Sequence, residues 1–208
     1  MDIRLDSVSK KFGKNWIFKK LNLNIGSGEH LAIMGANASG KTSLLKTIGG
    51  LLSPTEGHLC YHHNSRTIKP DELYRYTAFA APWMDLPEDL TVKELYDFYL
   101  KLKTWPGTYA DRNIPASAML TDSLNKKVGA LSSGKKQRLK LCLAIGSTAP
   151  LLLLDEPCSH LDQQGKAFYR EMIAGFTTGR TVIVCSNHDE DEIYHCQTNV
   201  LTESFLPA

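Results

Sequence analysis

The chain has 208 residues, of which 42% are hydrophobic and 22% charged, and its formal net charge is +2 at pH 7. These proportions are ordinary for a globular protein and exclude a solvated, disordered chain. A charge so close to zero gives no indication of a nucleic acid partner or of binding to an anionic membrane surface.

Short apolar segments typical of strands alternate with longer helical patterns along most of the chain. The predicted strands cover residues 3–8, 21–25, 30–34, 76–80, 151–154, 181–185 and 199–202. A further strand and turn, at a sheet edge, are predicted around residues 58–63. Residues 151–154 and 182–184 are apolar without alternation, which is typical of strands buried on both faces of a parallel sheet. The sequence therefore predicts an α/β core.

Between the fourth and fifth of the seven predicted strands the pattern changes to a helical one. Apolar residues recur there at helical spacing and form one face, at Val92, Leu95, Phe98, Tyr99 and Leu102. Residues 105–107, Trp-Pro-Gly, are expected to end this helix. We therefore predict a single domain over residues 1–208. Its core would cover about residues 1–81 and 141–208, and a mainly helical lobe would occupy about residues 82–140.

The chain start, the chain end and the cysteines carry no targeting or metal signal. The first 13 residues are polar and charged, so we expect no secretion signal. Only residues 203–208 follow the last predicted strand, so no appended regulatory domain is expected. The five cysteines are irregularly spaced without a Cys-x-x-Cys pair, which predicts reduced thiols in the cytosol and no zinc site.

Residues 35–42 directly follow a predicted strand and have the sequence Gly-Ala-Asn-Ala-Ser-Gly-Lys-Thr. They fit the pattern G-x-x-x-x-G-K-[ST], in which backbone N–H groups and the N-terminus of the next helix receive a phosphate. Lys41 would reach the β- and γ-phosphates of a nucleotide, and the Thr42 hydroxyl would coordinate Mg²⁺.

Two adjacent carboxylates, Asp155 and Glu156, follow the apolar strand at residues 151–154. The carboxyl ends of parallel strands are where α/β sheets bind ligands. Asp155 would hold Mg²⁺ through water, and Glu156 would polarise the attacking water. An Asp-Glu pair is by itself a common solvated strand end, but the phosphate loop favours the functional interpretation.

A second helix start lies at residues 131–138, with the sequence Leu-Ser-Ser-Gly-Lys-Lys-Gln-Arg. Ser132 or Ser133 can cap this helix, and the free N–H groups of its first turn could receive an anion. Lys135 and Lys136 in this turn oppose the helix dipole unless an anion lies nearby.

Taken in order, these segments resemble the ATP-binding subunit of an ABC transporter. The resemblance covers nearly the whole chain and includes the Leu-Ser-x-Gly helix start, the Leu-Leu-Leu-Leu-Asp-Glu-Pro segment and a histidine after the next strand. It implies an α/β fold with a P-loop NTPase core of mostly parallel sheet, an N-terminal antiparallel β-subdomain and an inserted helical lobe. It also implies an ATPase that uses ATP and Mg²⁺.

The resemblance implies roles for individual residues. The nucleotide would be bound by the phosphate loop and by an aromatic residue stacked on adenine, at Phe12, Gly35, Asn37, Ala38, Ser39, Gly40, Lys41, Thr42 and Ser43; Trp16 is the alternative to Phe12. Thr42 and Asp155 would hold Mg²⁺, while Glu156 and His188 would be catalytic. In a head-to-tail dimer, the opposite copy would contribute Ser132, Gly134 and Asp162, to which we add Lys135 because of its place in the helix.

The resemblance also implies partners. Two copies, or this chain and another ATP-binding subunit, would close on two ATP molecules and reopen after hydrolysis. Separate transmembrane permease subunits would receive this movement at the groove between core and lobe, so that the chain lies on the cytoplasmic face of the cell membrane. Two alternatives stay open: a soluble ABC-type ATPase that drives a cytosolic assembly such as an iron–sulfur scaffold, and a module that senses ATP without turnover.

The chain departs from the family at the junction of core and lobe. Alignment on residues 90–92 places Pro82 or Ala81 where the family has a glutamine that reaches Mg²⁺ and the attacking water. The nearby residues Trp83, Met84 and Leu86 could form an apolar patch for a membrane subunit, or they could pack the lobe against the sheet.

Overall fold

The computed structural model describes residues 1–102 and 120–205. The strands are β1 (Asp2–Phe12), β2 (Asn15–Ile25), β3 (His30–Met34), β4 (Glu56–His63), β5 (Arg66–Ile68), β6 (Thr77–Ala80), β7 (Leu151–Asp155), β8 (Thr181–Ser186) and β9 (Thr198–Leu201). The α-helices are α1 (Lys41–Ile48), α2 (Val92–Leu102), α3 (Ser133–Ile145), α4 (Gln163–Phe176) and α5 (Glu190–Ile193). Short 3-10 helices cover Pro70–Arg75, Thr121–Ser123, Val128–Ala130 and Thr202–Phe205. Within the described ranges, no helix is both long enough and apolar enough to cross a membrane.

The larger sheet is parallel and has the strand order β6-β7-β8-β3-β9. Every residue of β7 is buried. Leu152 and Leu154 join the apolar cluster formed with α3 and α4, whereas Leu151 and Leu153 join the cluster formed with α1 and the other sheet. The prediction of an α/β core with strands buried on both faces is confirmed.

The smaller sheet is antiparallel, in the order β2-β1-β4-β5, as expected of an N-terminal antiparallel subdomain. Strands β1 and β2 extend beyond the residues predicted for them, and the pairing between them is irregular. Ser7 and Lys20 have positive φ angles of 50° and 47° at these irregularities, which interrupts the alternation that predicts a strand. The placement of β4 at a sheet edge is wrong, because β5 pairs with its free side.

The predicted helix at residues 92–102 is present as α2, but its buried face is narrower than predicted. Val92 and Leu95 are fully buried, whereas Phe98 and Leu102 are 49% and 60% exposed. The expected helix end at residues 105–107 lies outside the described residues. Helix α3 continues across the predicted lobe boundary near residue 140 and packs against the parallel sheet. The division into core and lobe stays a prediction.

Candidate functional site

Three neighbouring strands of the parallel sheet bring the predicted segments to one edge. Strands β7, β8 and β3 lie side by side, and the phosphate loop, Glu156 and His188 each follow one of them. The backbone N–H of Glu156 donates to the Cys185 carbonyl oxygen at 2.9 Å, which fixes the turn after β7. Because the carboxyl ends of parallel strands share an edge, segments distant in sequence become neighbours.

The phosphate loop forms the wall of an open cavity of about 290 Å³. The lining residues are Ile17, Asn37, Ala38, Ser39, Gly40, Lys41, Thr42, Ser43 and Glu156. Two positions of the loop must be glycine, because neighbouring side chains leave no room for a Cβ atom. A Cβ on Gly35 would lie 1.9 Å from Thr202 Oγ1, and a Cβ on Gly40, where φ is 100°, would lie 2.6 Å from Ile17 Cγ2.

Polar groups of the loop are arranged to receive an anion. Lys41 is 5% exposed, and its ammonium group donates to the carbonyl oxygens of Gly35 and Ala36 at 2.7 and 2.8 Å. The hydroxyl of Ser39 is buried and has no hydrogen-bond partner within the described part of the chain. Because unpaired buried polar groups are costly, a phosphate that accepts from Lys41 and Ser39 would stabilise this arrangement.

The residues predicted to hold Mg²⁺ are in direct contact. The Thr42 hydroxyl donates a hydrogen bond of 2.8 Å to Asp155 Oδ2. Since the hydroxyl proton of Thr42 points to Asp155, the lone pairs of the Thr42 oxygen remain available to a cation. A hydroxyl and a carboxylate are oxygen ligands of the kind that Mg²⁺ prefers, so these residues fit the metal.

Trp83 reaches the same carboxylate, which the sequence did not indicate. Its indole N–H donates to Asp155 Oδ2 at 3.1 Å. Of the two other residues interpreted with it, Leu86 packs against the apolar cluster of α2 and α3, and Met84 is half-buried. No local pattern could have revealed the contact, because 72 positions separate Trp83 from Asp155.

Several residues around this edge have left-handed backbone conformations. Ala38, Glu156, His160 and His188 have φ angles of 63°, 43°, 62° and 61°. Such conformations cost non-glycine residues about 1–3 kcal/mol each and are concentrated at functional sites. Half of the described non-glycine residues with positive φ angles lie at this edge, which adds to the evidence from the cavity.

The start of α3 lies outside this cavity. Ser132 caps the helix by accepting from the Lys135 N–H at 3.4 Å. The Lys135 ammonium group donates to the Ser123 hydroxyl at 2.9 Å. A Cβ on Gly134 would lie 3.2 Å from the His160 carbonyl oxygen, so the helix start touches the loop after β7.

Asp162 likewise contacts its own chain rather than the cavity. It caps α4 by accepting from the Gly165 N–H at 2.8 Å, and it pairs with Arg138 at 2.6 Å. These contacts, with the Gly165 hydrogen bond as the largest cause, lower the pKa of Asp162. The Gln137 amide also donates to the Pro157 carbonyl at 2.9 Å. Helix α3 and the loop after β7 therefore form one connected unit.

The aromatic candidates for adenine stacking do not line the cavity. Phe12 is 49% exposed, and the Lys10 ammonium lies 5.1 Å from its ring centroid. Trp16 is likewise flanked by lysine ammonium groups. Ile17 is an apolar residue that does line the cavity, and an isoleucine in an alternating strand carries no signal that could have identified it. Stacking on Phe12 stays a prediction.

A buried acid, Glu192, lies next to the site and was not predicted. It accepts from the Cys158 N–H at 2.9 Å and is 3% exposed. Burial raises its pKa to about 7, although a hydrogen bond to Ser186 opposes the shift. Glu192 therefore joins the end of β8 to the loop that follows Glu156.

Comparison with known proteins agrees with this geometry. The sequence model of a family described as ABC transporter matches residues 18–159. The uncharacterized ABC transporter ATP-binding protein YybJ of Bacillus subtilis (strain 168) is 30% identical over 204 residues, which cover 93% of this chain and 89% of that protein. The sulfate/thiosulfate import ATP-binding protein CysA 1 of Rhizobium meliloti (strain 1021) is 32% identical over 98% of this chain, which spans only 61% of that relative's length.

A solved structure extends the similarity to a nucleotide-bound state. It is the dimeric structure of a post-hydrolysis state of the ATP-binding cassette MJ0796 bound to ADP and Pi. It superposes with a TM-score of 0.81 at 25% sequence identity, and the alignment covers 98% of this chain and 95% of that one.

Proposed function

The chain belongs to the ABC transporter family, as an ATP-binding subunit with ATPase activity, and from this premise we propose how its own residues perform and transmit ATP hydrolysis. The observation that carries the proposal is the gathering of Lys41, Thr42 and Glu156 on the wall of one cavity, with Asp155 hydrogen-bonded to Thr42. Its substrate would be ATP, hydrolysed to ADP and phosphate.

The residues at this edge of the sheet would have different roles in the reaction, although His188 and Asp155 do not line the cavity itself. Lys41, Ser39 and the backbone N–H groups of the loop would hold the β- and γ-phosphates. Thr42 and Asp155 would hold Mg²⁺, which when bound neutralises charge that develops on the phosphate oxygens. Glu156 would orient and polarise the attacking water, and His188 would contact the γ-phosphate.

We extend the proposal to a head-to-tail dimer in which each site is completed by the partner copy. The dimeric state of the related cassette supports association of two such chains. Ser132, Gly134 and Lys135 do not line the cavity of their own chain as far as the structure describes it. The N–H groups of Ser133 and Gly134 precede the capped Lys135 N–H at the positive end of the α3 dipole and suit an anion, so we assign Ser132, Gly134 and Lys135 to the nucleotide of the opposite copy.

Lys135→Ala is expected to weaken ATP-dependent dimerisation, because it removes the cation that we assign to the nucleotide of the opposite copy. The structure gives this lysine an alternative partner, the Ser123 hydroxyl, at 2.9 Å. Sedimentation with and without ATP measures the dimer fraction, and Lys136→Ala, which removes an exposed pair with Glu88, is the matched control. Unchanged dimerisation of Lys135→Ala would exclude this role.

The groove between core and lobe is the proposed contact for a membrane subunit. It is an apolar cavity of about 240 Å³ between β6, α2 and α3. Its lining residues are Gly49, Leu51, Tyr74, Thr77, Ala78, Phe79, Met84, Tyr99, Leu143, Ala144 and Ser147. Leu51 and Tyr74 are 56% and 62% exposed, and together with the apolar groove they form a contiguous apolar surface of the kind that binds another protein. A permease loop bound in this groove would be displaced by any movement of the lobe against the sheet.

Purification of the tagged chain from detergent-solubilised native cells tests the proposed partner. A polytopic membrane protein is expected to co-purify in stoichiometric amount, because burial of the apolar groove against a permease loop would stabilise the complex. Leu51→Lys, which places a charge in the groove, is expected to lose this partner while ATP binding persists. Co-purification of a soluble scaffold without any membrane protein would instead favour an ATPase that drives a cytosolic assembly.

A further inference from the structure

Trp83 joins the carboxylate of Asp155 to the segment that leads from the core into the helical lobe. Its indole N–H donates to Asp155 Oδ2 at 3.1 Å, and the same oxygen accepts the Thr42 hydroxyl at 2.8 Å. Asp155 is 3% exposed, so the oxygen that accepts both hydrogen bonds is itself buried.

The indole ring is held on two sides. The Lys46 ammonium group of α1 lies 3.8 Å from the ring centroid, which is a cation–π contact. The Phe79 ring of β6 meets the indole near its edge, with the ring centroids 5.3 Å apart. These contacts fix the direction of the indole N–H, although Trp83 is 40% exposed.

A carboxylate rotates broadly about its last side-chain bond unless its oxygens are bound. Two donors on Oδ2 restrict that rotation in Asp155 and leave Oδ1 for a further ligand. Building on the proposed function, in which Thr42 and Asp155 hold Mg²⁺, we propose that Trp83 is a positioning residue that orients Asp155 for magnesium binding.

The chemistry of the indole distinguishes this role from that of the glutamine expected at the junction. A glutamine carries a carbonyl oxygen and can reach a metal itself, whereas an indole has a donor and no acceptor. Trp83 therefore acts through Asp155 and not as a ligand. Its anchorage to Lys46 and Phe79 supplies the rigidity that a positioning residue needs.

Trp83→Phe separates the hydrogen bond from the packing, because phenylalanine keeps a ring beside Lys46 but has no N–H. The dissociation constant of a non-hydrolysable ATP analogue is measured with Mg²⁺ and with EDTA. The increase in affinity that Mg²⁺ causes is expected to be about 10-fold smaller in the variant than in the wild type. The affinity of the variant in EDTA is expected to change less than about 2-fold. A purely structural role would weaken binding under both conditions. Trp105→Phe makes the same chemical change and is the control.

A second measurement leaves Trp83 intact and so does not depend on the folding of Trp83→Phe. The chain has three tryptophans, and replacement of Trp16 and Trp105 by phenylalanine keeps an aromatic ring at both positions and leaves Trp83 as the source of indole fluorescence. The emission is measured at a concentration of the analogue that saturates this variant. The analogue with Mg²⁺ is expected to change this emission, because the metal engages Asp155. The analogue with EDTA is expected to leave the emission nearly unchanged.

The outcomes separate this inference from the function on which it rests. An equal gain from Mg²⁺ in wild type and Trp83→Phe, or an emission that does not respond to Mg²⁺, would overturn the role of Trp83 alone. A wild-type protein whose affinity does not respond to Mg²⁺ would overturn the proposed magnesium site and the inference with it.

Discussion

Glu156→Gln is expected to lower the rate of ATP hydrolysis by about 100-fold or more while ATP still binds. Glu156 lines the cavity beside the phosphate loop, and its backbone is fixed to Cys185 at 2.9 Å. Glutamine has nearly the same size, but it cannot accept a proton from the attacking water. The loss should therefore fall on the chemical step and spare binding.

Phosphate release at saturating ATP and Mg²⁺, with the membrane partner supplied, measures the expected loss. Size-exclusion chromatography with ATP should show the variant as a dimer, because hydrolysis no longer reopens it. Glu171→Gln, on the exposed side of α4, is the matched control and should hydrolyse ATP at the wild-type rate. Equal background rates in wild type and Glu156→Gln would favour a module that senses ATP without turnover.

Arg180→Met is expected to lower the free energy of unfolding by about 2–4 kcal/mol. Arg180 is 7% exposed, and its guanidinium donates to the carbonyl oxygens of Ile145, Ala149 and Phe176 at 2.5, 2.8 and 3.1 Å. Ile145 and Phe176 end α3 and α4, where unpaired carbonyls and the negative end of the helix dipole favour a cation. Methionine has no donor, so these buried carbonyls would lose their partner.

Urea unfolding followed by circular dichroism measures the loss of stability. Burial lowers the pKa of Arg180 to about 10, so its guanidinium remains charged at neutral pH. Arg170→Met is the matched control, because Arg170 is exposed and pairs with Asp191. Its loss should cost less than about 1 kcal/mol. An equally small effect of Arg180→Met would mean that water can replace the guanidinium at the helix ends.

Strands were predictable where their pairing is regular. The bounds predicted for β3 agree with the structure, and those for β7 and β8 differ by one residue. In contrast, the irregular pairing of β1 with β2 near Ser7 and Lys20 interrupts the local alternation, so only parts of these strands were predicted. The neighbour of β4 was also unpredictable, because strand order depends on contacts between segments and not on the segment itself.

In the candidate site, too, features that depend on neighbouring residues were predictable and contacts between distant segments were not. The phosphate loop and the Asp-Glu pair are runs of consecutive residues whose spacing already specifies their chemistry. The partners of Asp162 illustrate the opposite case. The resemblance to the family implied a contact with an opposite copy, whereas within its own chain Asp162 pairs with Arg138 and with the N-terminus of α4. The contact across the dimer therefore stays a proposal.

The sequence by itself determined the α/β core, the phosphate loop and the carboxylates at the end of β7. Each of these depends on residues close together in the chain, where hydrophobic periodicity and backbone geometry act over a few positions. Only the tertiary structure decided that Trp83 binds Asp155, that Ile17 lies against Gly40 of the loop and that Arg180 joins two helix ends. These contacts join segments far apart in sequence, and a side chain at such a distance finds its partner only when the packing of the sheets and helices brings the two together.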